Sequence, residues 1–238
     1  MFELAFTFIA FFTSMLTAII GLGGGLLLIA LMPGFLPTAV IIPIHSVVQL
    51  ASNASRAAFA WRAIRWEYFT AFAIGSIIGG LIATQFIRLI NIEYISLFIG
   101  LFILMNVWTP KIFEWLGRLK GEFFTIGILQ TGLGMIGGAT GPLGQASLMR
   151  RDLSKDEIVT TTALFMSFTH ITKLFAFAIL GVNLLVWWKL MFGMVVGVIL
   201  GSWAGTKVRT KVNDAIFKQV LSVLLTILAI RMIYAVVF

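Results

Sequence analysis

Gly21-Leu22-Gly23-Gly24-Gly25 and, farther on, Gly132-Leu133-Gly134-Met135-Ile136-Gly137-Gly138-Ala139-Thr140-Gly141-Pro142-Leu143-Gly144 are the stretches that decide how this chain folds. Each interrupts a long apolar run. In lipid, backbone that leaves the helix must be buried in protein or line a watery cavity, because hydrocarbon satisfies neither N–H nor C=O. Glycine breaks at corresponding places in two related halves therefore point to a cavity, and in transporters such breaks form the substrate site.

Composition puts those breaks in a membrane. Of 238 residues, 60% are hydrophobic and 11% charged, and the mean hydropathy is +1.06. Soluble chains are about 45–50% apolar and about 25% charged. Apolar stretches near 4–20, 38–60, 66–87, 92–109, 123–136, 158–181, 184–206 and 214–238 mostly reach the roughly 17–25 residues a span needs. The expectation is an all-α polytopic membrane protein, one transport domain over 1–238. The opening Met1-Phe2-Glu3-Leu4 lacks a basic leader region, so the first apolar segment is expected to be retained. The formal charge of +8 does not indicate nucleic acid, because the basic residues sit in short loops between spans, as the positive-inside rule describes. Cysteine is absent, which excludes disulfides and thiol chemistry.

The halves resemble each other. Gly24-Gly25 matches Gly137-Gly138, Leu31-Met32 matches Leu148-Met149, and Gly75-x3-Gly79 matches Gly197-x3-Gly201. The offsets are 113 (137 − 24), 117 (148 − 31) and 122 (197 − 75). The repeats are 1–110 and 121–238, joined across Thr109-Pro110 to Gly121, where Lys111, Glu114, Arg118 and Lys120 cluster. Eight full spans, the alternative, distribute the basic residues about evenly between the two sides. If each break is instead the tip of a re-entrant helical hairpin followed by three transmembrane helices, the halves are inverted and the charges sort. Arg62, Arg65, Lys111, Arg118, Lys120, Arg150, Arg151, Lys155, Lys207, Arg209, Lys211 and Lys218 then face Arg88, Lys189 and Arg231. That asymmetry puts both termini outside the cytoplasm. Gly193, Gly197, Gly201 and Gly205 recur every fourth residue, a face for close helix packing or for sliding.

Two cations fall inside spans, Arg56 and Lys173, and they are equivalent at the offset of 117 (173 − 56). Such residues are functional candidates because burying them is costly unless they are paired or hydrated. Asn53 shares a helix face with Arg56, and His170 with Lys173; Gln49 extends the first face. With backbone N–H groups at glycine-flanked half-helix starts, these side chains suit an oxyanion. The candidate substrate-binding residues are Gln49, Asn53, Arg56, His170, Lys173, Gly23, Gly24, Gly25, Gly137, Gly138, Thr140 and Gly141. The competing reading is that Arg56 and Lys173 snorkel to the interface. His45 has no histidine equivalent, since Thr162 stands there. Trp61, Trp66, Trp108, Trp115, Trp187 and Trp188 read as interface anchors. Nothing in the pattern makes a nucleophile–base pair, a nucleotide loop or a metal-ligand cluster, so neither enzyme nor cofactor is expected.

The Gly-x-Gly-Gly-Gly break, the second glycine-rich break and the Gly-x3-Gly helix near the end of each half resemble the TauE/SafE family of sulfite and organosulfonate exporters, over nearly the whole chain. The resemblance implies secondary transport of small sulfur-containing anions, such as sulfite or sulfoacetate, by alternating access in a bacterial inner membrane, with export the favoured direction. The alternatives are a carrier of another small solute or ion and a non-transport membrane scaffold. The expected partners are the lipid bilayer, the anion and, left open, a second copy forming a homodimer.

Overall fold

The computed structural model describes residues 2–21, 23–116, 121–208 and 214–237, with the side chains of 113, 114 and 214–218 not described. Leu22, Arg118, Lys120, Arg209 and Lys211 lie outside the described residues, as do the side chains of Glu114 and Lys218. The described residues are mostly helical: α1 (Phe2–Ile20), α2 (Gly24–Leu31), α3 (Thr38–Phe59), α4 (Phe69–Ile87), α5 (Ile95–Trp108), α6 (Pro110–Leu116), α7 (Glu122–Gly137), α8 (Gly141–Leu148), α9 (Lys155–Ile179), α10 (Trp188–Val208) and α11 (Asp214–Val237).

Five helical segments among the described residues are long and apolar enough to cross a membrane: Phe2–Ile20, Trp66–Ile87, Lys155–Ile179, Leu185–Val208 and Gln219–Val237. A shorter apolar segment runs Ile92–Trp108. This is a multi-pass membrane protein. The 22-residue α3 is long enough too, but Ser46, Gln49, Ser52, Asn53 and Arg56 lower its hydropathy, and all five are buried in the protein.

Both glycine breaks turn the chain back. α1 stops at Ile20, followed by Gly21 at φ 96°, and α7 stops at Gly137, followed by Gly138 at φ 79°. Left-handed glycine is the usual helix terminator, because a Cβ there meets the backbone. After α2, Phe35 stacks against Phe2 and Phe6 at the start of α1, with ring centroids 6.4 and 5.8 Å apart. After α8, Arg150 and Arg151 both pair with Glu122, the first residue of α7. Eight full crossings would separate each of these sets by a membrane thickness.

Two pairs of helix starts share a single offset. α2 and α8 begin 117 apart (141 − 24), as do α3 and α9 (155 − 38). At that offset Gly24-Gly25 lies over Gly141-Pro142, and Gly21 over Gly138. The sequence match of Gly24-Gly25 with Gly137-Gly138 pairs a helix start with a helix end.

The first helix of each half packs beside the second of the three helices that follow the hairpin in the other half. On α10, a Cβ at Gly197, Gly201 or Gly205 would lie 2.4, 2.1 or 2.5 Å from the carbonyl oxygens of Thr7, Phe11 and Met15. On α4, Gly75 and Gly79 would meet those of Phe124 and Ile128 at 2.0 and 2.2 Å. Residue numbers rise together in both pairings, so α1 runs parallel to α10 and α4 to α7. Such backbone-to-backbone approach is what small-residue faces permit in lipid, where no hydrophobic force drives helices together.

The C-terminal ends of α3, α5, α8 and α10 lie toward one end of the molecule. There lie Arg62, Arg65, Lys111, Arg150, Arg151, Lys155 and Lys207, whereas Arg88, Lys189 and Arg231 lie toward the other end. Arg65 pairs with Glu157 at 2.6 Å. Ser154 and Glu157 close a reciprocal capping box at the start of α9, so the acids there open the helix as their position suggests.

Candidate functional site

Cavity-lining residues of α3 and α9 form two rows that face each other. On α3 the row is His45, Gln49, Asn53 and Arg56; on α9 it is Thr162, Met166 and His170. Spacings of three and four keep each row on one helix face. The first three of each row are equivalent at 117 (162 − 45, 166 − 49, 170 − 53). Between the rows lies a cavity of ≈ 40 Å³, closed by Thr17, Gly21, Gly23, Gly25 and Leu26 from the first hairpin and by Ala139, Gly141, Pro142 and Gln145 from the second. That is room for roughly three water molecules, so a compact oxyanion is the scale of guest it admits.

Arg56 is 2% exposed. One terminal nitrogen donates to Asn53 Oδ1 at 3.0 Å and the other to Ser52 Oγ at 3.0 Å. Asn53 Nδ2 donates to the Gln49 carbonyl at 2.7 Å, which holds its oxygen toward Arg56. Ser52 is joined through Ser14 to Ser202, with Oγ separations of 2.7 and 2.8 Å. The guanidinium is thus oriented from behind by a hydroxyl cluster drawn from α1, α3 and α10, while the residue itself lines the cavity.

Lys173 is buried as well, at 0% exposure, but it is not in the cavity lining. Its Nζ donates to the Gly138 carbonyl at 2.8 Å, putting a cation on the C-terminal end of α7, where the helix dipole is negative. Neither cation snorkels.

His45 and His170, both fully buried, come together with ring centroids 5.8 Å apart. A carbonyl only accepts, so the 2.9 Å contact between His45 Nε2 and Gly25 O assigns the hydrogen to Nε2. His45 Nδ1, both nitrogens of His170, Thr162 Oγ1 and Gln145 Oε1 are buried with no hydrogen-bond partner. Leaving one such group unsatisfied costs about 1–3 kcal/mol. Several of them around one cavity describe walls that a hydrogen-bonding guest completes.

Of the sequence candidates, Gln49, Asn53, Arg56, His170, Gly23, Gly25 and Gly141 line the cavity. Gly24, Gly137, Gly138, Thr140 and Lys173 stand behind its wall. A Cβ on Gly24 would lie 1.8 Å from the Thr13 carbonyl oxygen, one on Gly137 2.6 Å from the Phe102 ring, and one on Gly138 2.0 Å from Ile29. Thr140 Oγ1 donates to the Gln130 carbonyl at 2.7 Å. Sequence reading missed Thr17, His45, Pro142, Gln145, Thr162 and Met166 as lining residues. The offset of 117 applied to the row 45, 49, 53 would have found two of them, Thr162 and Met166.

Among the described residues the lining carries one guanidinium, two imidazoles, three side-chain amides and two hydroxyls, and no carboxylate. No cluster of three potential metal-ligating side chains occurs among the described residues. The arrangement can neutralise and orient a small anion; it has no nucleophile–base pair. The family model of the sulfite exporter TauE/SafE matches residues 6–232. Comparison with curated proteins and with solved structures finds no match. The chain belongs to the TauE/SafE family, a family of sulfite-exporter-type transporters.

Proposed function

We propose that this TauE/SafE member is a secondary transporter that binds a small sulfur oxyanion, sulfite or a compact organosulfonate such as sulfoacetate, between its two hairpin tips. The observation that carries the reading is the buried Arg56 in the wall of a small cavity that His45, His170, Thr162 and Gln145 line with polar atoms lacking partners among the described residues. Arg56 supplies the charge. Asn53, Gln49 and His170 orient the oxygens, and N–H groups in the first turn of α2, which lack helical acceptors, add donors near Gly23 and Gly25. Lys173 acts at one remove by holding the second tip in register.

The halves are inverted repeats, each a re-entrant hairpin and three transmembrane helices. This is supported by the returning hairpins, the offset of 117 and the parallel packing of α1 with α10 and α4 with α7. Alternating access follows if one hairpin-bearing bundle rocks against the other around the cavity. The basic end faces the cytoplasm of a bacterial inner membrane by the positive-inside rule, which puts both termini outside. Export is the favoured direction, because an anion leaving the cell runs down an inside-negative potential.

Proteoliposomes test this directly. Sulfite and sulfoacetate flux is expected in the wild type and lost in Arg56→Ala, with Lys173→Ala slowed. Normal flux in Arg56→Ala would remove the site. Topology is read by labelling Pro33→Cys and Arg150→Cys in this cysteine-free chain: Pro33→Cys is expected to label from outside and Arg150→Cys from inside. Labelling of both from one side would contradict the inverted arrangement.

A further inference from the structure

We propose that His45 and His170 form one proton-binding site in the wall of the anion cavity, so that a proton accompanies the anion. The proposal rests on the anion reading above and deepens it by naming the coupled ion.

The two rings reach each other only through tertiary structure. They come from α3 and α9, and neither has a histidine equivalent in the other half: Thr162 and Asn53 stand there. Both are fully buried, both line the cavity, and their centroids are 5.8 Å apart. With Nε2–H of His45 committed to the Gly25 carbonyl, Nδ1 of the same ring and both nitrogens of His170 have no partner. Two neutral rings hold two N–H hydrogens between four nitrogens, which leaves two lone pairs, and a proton arriving in the cavity has those to bind. A packing histidine in a helix bundle normally spends its N–H on a neighbour. His170 does not.

Among the described residues, the charged groups near the pair are positive. Arg56 contributes from α3, and Lys173, on α9 itself, sits behind the wall on the Gly138 carbonyl. The hairpin tips bring glycines, Pro142 and Gln145, with no charged side chain in the lining. A bound anion is therefore the negative group with which a proton on the pair interacts. Anion and proton attract across the cavity, so by linkage each binds more tightly when the other is present. A proton travelling with a divalent oxyanion also leaves one net charge to move across the membrane. Because His45 holds the Gly25 carbonyl, occupancy of the pair is felt at the tip of the first hairpin.

The chain contains two histidines, so protein labelled with ¹⁵N-histidine and placed in lipid nanodiscs reports this pair and nothing else. Imidazole ¹⁵N spectra would be recorded between about pH 5 and 8, with and without sulfite. Sulfite is expected to convert at least one ring to imidazolium at a pH where the sulfite-free protein holds both neutral. In His45→Gln and His170→Gln the remaining ring is expected to titrate about one pH unit or more away from its wild-type position. Rings that stay neutral throughout with sulfite bound would overturn the proposal. So would rings that titrate independently of each other and of sulfite. If sulfite does not bind, the anion reading fails, and the mutual dependence of the two titrations still decides whether the pair is one proton site. The wild-type spectra decide the outcome even where a variant fails to fold.

Discussion

The two halves place equivalent residues on equivalent helices and then use them differently. Gly21 and Gly138 follow the ends of α1 and α7 at positive φ, and Arg56 and Lys173 stand 117 apart on α3 and α9, which start 117 apart. Lys173 reaches the glycine that ends its hairpin's first helix and bonds its carbonyl. Arg56 turns instead to Ser52 and Asn53. Two hydroxyl clusters also share the offset of 117 in part. Ser14 and Ser52, joined by Ser202, form one, and Thr131 and Thr169, joined by Ser76 2.6 Å from Thr131, form the other, although Ser76 lies one turn from the position that matches Ser202. One cation holds a hairpin while its twin faces the cavity. The comparison teaches that repeat symmetry fixes where a charge sits, and local hydrogen bonding decides what it does.

The hairpins differ in the same way. The second is stitched by Gln130, which accepts from Gly144 N–H at 2.9 Å, donates to Thr169 at 3.2 Å and lends its own carbonyl to Thr140. In the first hairpin the residue equivalent to Gln130 is Thr13, whose hydroxyl bonds only along its own helix, to Ala10. There α2 presses on α1 through Gly24, and His45 reaches the tip.

The largest expected effect is at the helix starts. Gly24→Ala puts a methyl 1.8 Å from the Thr13 carbonyl oxygen, whereas Gly141→Ala puts one 3.5 Å from Met166 Sδ, ordinary contact. Gly24→Ala should abolish recovery of monodisperse protein from membranes and Gly141→Ala should leave it near wild type; equal recovery would break the contrast. Next comes Arg56→Ala. Charged hydrogen bonds are worth about 1.5–3 kcal/mol each, so sulfite flux in proteoliposomes should fall about 100-fold, with Arg56→Lys recovering part of it. Lys173→Met should slow turnover about tenfold by freeing the second tip, again the scale of one charged hydrogen bond. Smallest is the stability contrast. Gln130→Leu should lower stability by about 1–3 kcal/mol by orphaning Gly144 N–H, and Thr13→Val by less than about 1 kcal/mol. Thermal melting in detergent would rank the pair, and equal shifts would remove the claim that the hairpins are braced differently.

Much of this was legible in the sequence. Sorting Lys and Arg between two sides required the chain to turn back at both breaks, and Phe35 beside Phe2 and Arg150 beside Glu122 are that reversal. That Arg56 and Lys173 lie 117 apart was readable, and both are buried on α3 and α9, which themselves start 117 apart. What was not readable depends on contacts between elements. The alignment of Gly24-Gly25 with Gly137-Gly138 followed identity, whereas the structural equivalence follows where helices end, and glycine serves both ends. Lys173 was read as a ligand of the anion because nothing in sequence puts the Gly138 carbonyl within its reach. His45 looked isolated because its partner lies on a helix of the other half.

The central claim is that the two equivalent cations have unequal roles at one shared cavity. Sulfite affinity measured by calorimetry in nanodiscs for wild type, Arg56→Ala and Lys173→Met tests it most directly. The account predicts binding weakened about 100-fold in Arg56→Ala, the loss of about one charged hydrogen bond or two, and kept within about threefold in Lys173→Met. Unchanged affinity in Arg56→Ala, or loss confined to Lys173→Met, would contradict it.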